Sequence, residues 1–330
     1  MKILVTGAAG FLGSHLCDRL KGHQVIGVDN MIGGDPLNVP LNVDLHRFDL
    51  SNLDKLTDVM DGVDLVYHTA CTAYEGLSVF SPSLITQNTT QISVNVMTAA
   101  IRCGVKRVVH CSSMARYGAQ KPPFTEDMEC RPQDPYGIAK VAAEMLLKNL
   151  AEVHGIELVI AVPHNIIGAK QKYDDPFRNV ASIMTNLMLQ GRQPIIYGDG
   201  SQIRCFSDVD EDIDILMMLG FEDCAGHTFN IGPDKGEVTI LELAQRIAKL
   251  LDFDLNPTYM PGRPQEVKHA NCSADKIRDW FKWEQSVPLD ESLGKIITYI
   301  RNRGPRPFKY HLPIEIVSPL TPKTWTQRLF

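Results

Sequence analysis

A chain of 330 residues exceeds what one ordinary core needs, and with 44% hydrophobic residues it can bury one large core or two modest ones. A formal net charge of -6 excludes a general nucleic-acid or anionic-membrane surface, so an anionic ligand must be held by a few placed cations. The eight cysteines are scattered, with no C-x-x-C pair and no histidine at zinc spacing, which excludes a metal site and predicts free thiols. The chain enters the apolar run Lys2-Ile3-Leu4-Val5-Thr6 directly, without the long apolar stretch of a signal peptide or membrane span. A soluble, reduced, cytoplasmic protein is expected.

Short β-branched runs alternate with segments of helical period as far as residue 163. Ile3 to Thr6, Val25 to Val28, Leu65 to His68, Val108 to Cys111 and Leu158 to Val162 read as strands with helices between them, and a further strand ends just before Asp49. That alternation predicts an α/β fold with a doubly wound parallel sheet. Two of the helices, Thr86 to Cys103 and Pro135 to His154, carry apolar residues around much of their circumference, which predicts burial against something besides their own sheet. A helical dimer interface and a wholly intrachain contact both satisfy that pattern.

Beyond residue 163 the alternation fails. Helices recur at Asn179 to Gln190, Glu211 to Leu219, Thr239 to Leu251 and Leu289 to Asn302 among many prolines and glycines. The division expected is a first domain over residues 1–163, a smaller mixed α/β domain over 164–303 interleaved with it, and a tail over 304–330. With five prolines and several aromatics the tail is too rigid for a linker, so it is expected to lie along the body or along a partner subunit.

The first strand runs into Thr6-Gly7-Ala8-Ala9-Gly10-Phe11-Leu12-Gly13 and a helix. Gly7 permits a tight turn, Gly10 lets the backbone approach a pyrophosphate, and Gly13 lets the helix pack close to the strand, while free N–H groups at the helix start attract phosphate. Asp29, ending the second strand, is placed to accept hydrogen bonds from ribose hydroxyls. Its charge repels a 2'-phosphate, and Asn30-Met31-Ile32-Gly33 brings no cation, so NAD is favoured over NADP. Asp49 and Leu50 either flank the adenine or open the following helix.

Tyr136 and Lys140 stand four apart just after the helix-opening pair Asp134-Pro135, so they share a helix face. A cation near a phenol lowers its pKa from an ordinary value of about 10, which makes Tyr136 a candidate proton acceptor. Ser113 follows the fifth strand, where an open parallel sheet places its ligands, and is expected to reach the same substrate hydroxyl.

Together these residues resemble the extended short-chain dehydrogenase/reductase family, whose cofactor domain is a Rossmann fold. The likeness continues through Pro163-His164-Asn165-Ile166-Ile167-Gly168, Ile196-Tyr197-Gly198-Asp199-Gly200, Arg204, Phe229-Asn230-Ile231-Gly232 and Gly262-Arg263-Pro264, over about residues 1 to 300. That series is similar to the nucleotide-sugar epimerase and dehydratase branch, and to UDP-hexose 4-epimerases within it. The resemblance implies that Arg204 and Arg263 hold a sugar nucleotide's diphosphate, that Asn165 touches the substrate, and that Phe11, Leu12 and Asn30 join the cofactor site. It implies a nucleotide-diphosphate sugar, a UDP-sugar first, as the partner molecule. It also implies that Ala270 limits the size of the sugar's C2 group, so that N-acetylated hexosamines fit. His164 stands where many 4-epimerases have an aromatic, and either donates to a substrate hydroxyl or fills space.

The two residues after Ser113 narrow the reaction. The dehydratases of the branch carry an Asp-Glu pair there and the 3,5-epimerases a cysteine two positions on, whereas this chain has Met114 and Ala115, neither of which moves a proton. What remains is transient oxidation at C4 with Ser113, Tyr136 and Lys140 as the catalytic set, and inversion on return of the hydride. A 2-epimerase, a decarboxylase, a 3,5-epimerase and a non-catalytic NAD sensor are the alternatives.

Overall fold

Seven strands form the centre of the molecule, which is a computed structural model describing residues 1–330. They are β1 (Lys2–Thr6), β2 (Gln24–Asp29), β3 (Asp44–Arg47), β4 (Leu65–His68), β5 (Arg107–Cys111), β6 (Glu157–Pro163) and β7 (Thr228–Ile231). Their order across the sheet is β7-β6-β5-β4-β1-β2-β3, and every pairing is parallel. This is the doubly wound, Rossmann-type sheet expected from the alternation.

The larger helices are α1 (Phe11–Arg19), α2 (Leu53–Met60), α3 (Ile92–Arg102), α4 (Pro135–His154), α5 (Val180–Leu189), α6 (Val209–Phe221), α7 (Ile240–Leu251) and α8 (Leu289–Arg303). On one face of the sheet Leu16 and Cys17 of α1 join Ile213, Leu216 and Leu219 of α6 over Ile3, Val5 and Val109. On the other, Leu56 of α2, Val96 and Met97 of α3 and Leu147 of α4 cover Leu4, Val66 and Val108. Strands covered on both faces read as unbroken apolar runs, which is why no alternation marks them. Each fully buried Leu or Ile adds on the order of 2 kcal/mol.

The helix expected over Thr86 to Cys103 is interrupted. A widened turn at Gln87–Gln91, with Asn88 at φ -85° and ψ 16°, precedes α3. The turn frees the Asn88 carbonyl, which accepts the Thr72 N–H at 3.2 Å and so ties this helix to the loop after β4. Periodicity alone does not reveal such a break, because the apolar face continues through it.

The strand Thr228–Ile231, late in the chain, joins the main sheet beside β6, and α6 packs under the same sheet. The remaining second-lobe elements form a separate cluster in which α5, α7 and α8 meet around Met184, Leu243, Ile247 and Ile296. Segment 304–330 lies along this chain's own body. Glu315 accepts the N–H groups of Ser83 and Leu84, both at 2.9 Å, and Ser81 donates to the Pro313 carbonyl at 2.7 Å. Trp325 is buried against Phe80 and Phe177. The eight thiols are free, and no helix is long and apolar enough to cross a membrane.

Candidate active site

The direction of winding reverses between β1 and β4, and there a cavity opens, with a volume of about 440 Å³. Loops at the carboxyl ends of β1, β2, β4 and β5 form one end of it, and the second lobe closes the other.

At the first end Gly7 turns at φ +71°, and a Cβ there would stand 2.9 Å from the Ala70 backbone, while one on Gly13 would collide with the Gly7 carbonyl. Gly10 begins α1 without any side-chain cap, and the N–H groups of Phe11, Leu12 and Gly13 donate to nothing in the protein. Three unanswered donors facing a cavity beside glycines that admit no side chain form a cradle for a phosphate. Asp29 is buried, and its two oxygens accept from Ala9 at 3.0 Å and Met31 at 2.7 Å. Burial pushes its carboxyl above the ordinary value, while the N–H groups of Met31, Ala9 and Gly10 pull it back. Asn30 donates to Asp49 at 2.7 Å, and Asp49 also accepts the Ser51 N–H, so the two close the rim together with Leu50. The helix-opening cap is Asn52 rather than Asp49.

In the middle, α4 presents Tyr136 and Lys140. Its start is fixed by Asp134, which accepts from the Gly137 N–H at 2.9 Å and from Ser78 at 3.3 Å, with Pro135 in the first turn and Gly155 at φ +69° ending the helix. The Lys140 ammonium donates to the Cys111 carbonyl at 2.8 Å and lies 5.9 Å from the centre of the Tyr136 ring. The expectation that Lys140 lowers the phenol's pKa is corrected here. Burial comes first and drives Tyr136 well above its ordinary value, Cys71, Glu75 and Asp134 add to that, and the Ser113 hydroxyl beside it is the group that lowers it. Ser113 also accepts the Ala115 N–H at 3.2 Å. Behind it Ser112 and Arg116 hold the buried Glu144 carboxylate, Arg116 at 3.2 Å.

At the far end Arg204, Arg263 and Asn165 line the cavity. Arg204 donates to the carbonyls of Val267 and Ile203, at 2.7 and 2.8 Å, and burial holds it below its ordinary pKa. Arg263 stacks on the Tyr197 ring at 4.7 Å and donates to Glu266 at 2.8 Å, leaving its Nε without a partner. Asn165 stands at φ +44° and donates to the Cys205 carbonyl at 3.1 Å.

Two expected wall residues lie elsewhere. His164 is buried, donates from Nε2 to the Pro233 carbonyl at 2.8 Å, and is not part of the lining. Ala270 packs into the core with Phe124 and Tyr117, away from the cavity. Asn165, at φ +44°, breaks the extended backbone after β6 and stands on the wall, while His164 before it is buried. Three lining residues carry no mark in the sequence. They are Glu75 after β4, Phe330, and Arg178, whose guanidinium lies 4.5 Å above the Tyr74 ring with its Nε 3.8 Å from the Asp175 carboxylate. Arg178 is the cation that residues 30 to 33 lacked: it acts on Asp29 from across the cleft.

Residues 3–232 match the NAD dependent epimerase/dehydratase family. The chain belongs to that family. Its cofactor is therefore NAD, and the glycine cradle, the free N–H groups of α1 and Asp29 fit it. The UDP-glucose 4-epimerase of Mycolicibacterium smegmatis is 30% identical over 316 residues, 92% of this chain and all of that one. GDP-mannose 3,5-epimerase 1 of Oryza sativa subsp. japonica is 31% identical over 92% of this chain and 82% of its own. A crystal structure of UDP-glucuronic acid 4-epimerase from Bacillus cereus, in complex with UDP-glucuronic acid and NAD, superposes with a TM-score of 0.85 at 26% identity, covering 92% of this chain and all of that one. The members thus modify nucleotide sugars, and they differ in the carbon they act on and in the charge of the sugar.

Proposed function

We propose that this protein is a nucleotide-sugar 4-epimerase acting on a UDP-sugar. The observation that carries the reading is one cavity holding Ser113, Tyr136 and Lys140 at its centre, a phosphate cradle at one end and two arginines at the other. Met114 and Ala115, at the places of the dehydratases' Asp-Glu pair, move no proton.

In this reading Arg204 and Arg263 grip the diphosphate, to which a planar guanidinium presents paired N–H donors. Asn165 orients the sugar. Tyr136 accepts the proton of the C4 hydroxyl and returns it after the ring has turned over, and Ser113 donates to the same oxygen. Lys140, fixed by the Cys111 carbonyl, holds the cofactor ribose and keeps a positive charge behind the phenol. When bound, NAD supplies the hydride acceptor and donor, and its oxidised ring is a cation that opposes the effect of burial on the phenol. Gly7, Gly10, Phe11, Leu12, Gly13, Asp29, Asn30, Asp49 and Leu50 hold it. With Ala270 off the wall, the expectation that N-acetylated hexosamines fit loses its support.

The same transient oxidation serves a decarboxylase or a 2-epimerase. The test is incubation with UDP-, GDP-, CDP- and dTDP-sugars in deuterated water. Inversion at C4 with no deuterium bound to carbon is expected for a UDP-hexose, whereas solvent deuterium in the product or release of carbon dioxide would overturn the reading. We also propose a homodimer through α4, whose Ile138, Met145, Leu146 and Val153 stand 53%, 68%, 44% and 67% exposed.

A further inference from the structure

The loop after β4 carries Glu75 into the cavity at the start of the short helix Glu75–Ser78. The other acids of the lining are answered. Asp29 takes two backbone N–H groups, Asp49 takes Asn30 and Ser51, and Glu266 takes Arg263. Nothing donates to the Glu75 carboxylate, and it forms no ion pair: its neighbours act on it only by burial and through space. Its surface is exposed to the cavity, which is partly open to solvent.

Glu75 lines the same cavity as Tyr136, Arg204 and Arg263, and a Cβ on the next residue, Gly76, would stand 3.1 Å from the Arg263 guanidinium. A substrate whose reacting hydroxyl meets Tyr136 and whose diphosphate meets the arginines lays its sugar ring across the space between, in front of Glu75. A lone carboxylate there offers two strong acceptors and no donor. Ring hydroxyls complement it, and a second carboxylate opposes it at short range in a medium that screens poorly.

We propose that Glu75 is a sugar-recognising residue, which accepts a hydrogen bond from a ring hydroxyl and restricts the site to neutral nucleotide sugars by repelling uronates. The assignment rests on the nucleotide-sugar reading above. Sequence motifs do not mark Glu75 because it lies in none of them. Burial, with Asp134 next, raises the Glu75 pKa to about 7 against Arg204 and Arg263, so the repulsion is strongest above neutrality and fades below it. The charged and titratable groups facing Glu75 are Asp134, Glu266, Arg204, Arg263 and the Tyr136 phenol.

Calorimetric titration of the NAD-loaded protein with UDP, UDP-glucose and UDP-glucuronate, for the native chain and for Glu75→Gln, tests it. Two unit charges about 6 Å apart at an effective dielectric constant of about 20 change affinity by about a hundredfold. The native protein is expected to bind UDP-glucuronate about that much more weakly than UDP-glucose at pH 8, with the gap narrowing at pH 6. Glu75→Gln should close most of the gap, remove its pH dependence and leave UDP unchanged. Equal affinity of the native protein for the two sugars, or an unchanged gap in Glu75→Gln, with UDP bound normally, overturns the assignment alone. Failure to bind UDP at all overturns the nucleotide-sugar reading and this assignment with it.

Discussion

Tyr136 is the residue on which the chemistry turns, and its surroundings define what replacing it should do. Phenylalanine keeps the ring in a place that is already 6% exposed, and loses only the oxygen that faces Ser113. Tyr136→Phe is therefore expected to fold with an unchanged melting temperature and to retain NAD, while turnover falls by about 10² to 10⁴, the range for loss of a positioned acid–base group. Activity near that of the native chain would remove Tyr136 from its assigned role. The pair Tyr136 and Lys140 was readable from the sequence because a spacing of four on a helix has one geometric meaning. The glycines and Asp29 were readable because they sit at a strand-to-helix junction. His164 and Ala270 were misplaced because the motif that carries each fixes its place along the chain but not the side of the backbone on which the cavity lies. Glu75, Arg178 and Phe330 were missed because the cavity assembles them from loops far apart in sequence, and no local pattern distinguishes them from surface residues.

At the scale of elements, α4 joins the chemistry to the packing. One face, carrying Tyr136, Lys140, Ala143, Leu147 and Ala151 at spacings of three and four, presents the first two to the cavity and buries the last three on the sheet. The opposite face leaves Ile138, Met145, Leu146 and Val153 in solvent. The doubly apolar pattern expected from its sequence is thus real, and intrachain burial accounts for only part of it. Met145→Glu combined with Leu146→Glu should leave the circular dichroism spectrum unchanged, since neither side chain is buried, and should halve the mass measured by light scattering from twice 36.8 kDa. A native mass of 36.8 kDa would exclude the dimer. The parallel sheet was legible from strand runs that the helices cover on both faces, with β7 the exception. Its four residues lie far along the second-lobe chain from β6, and only pairing in three dimensions returns them to the sheet. The break at Gln87–Gln91 was hidden because the widened turn preserves the apolar face while redirecting one carbonyl to Thr72.

Across the whole molecule, the cavity is a joint product of both lobes and of segment 304–330. Thr324 bonds to the Tyr197 hydroxyl beneath Arg263, Trp325 lies against Phe177, and Phe330 reaches the cavity wall with its N–H bonded to Tyr310 at 3.1 Å. The relatives named for this family match 92% of the chain, so their likeness leaves a share of it about the size of this segment unaccounted for. Docking of the segment and occupancy of the cavity then become linked equilibria: whatever fills the cavity only when the segment is seated also holds the segment down, by a factor of about 1 + [L]/Kd. A saturating UDP-sugar should accordingly slow proteolytic cleavage within residues 304–322 by that factor while leaving cleavage of the loop at Gly33 and Gly34 to respond to NAD. Identical cleavage rates with and without the sugar nucleotide would mean that the segment is a passive strap. If the rates differ, the chain reports its own occupancy at a site remote from the reacting carbon, and a protease or a partner protein can read that report without entering the cavity.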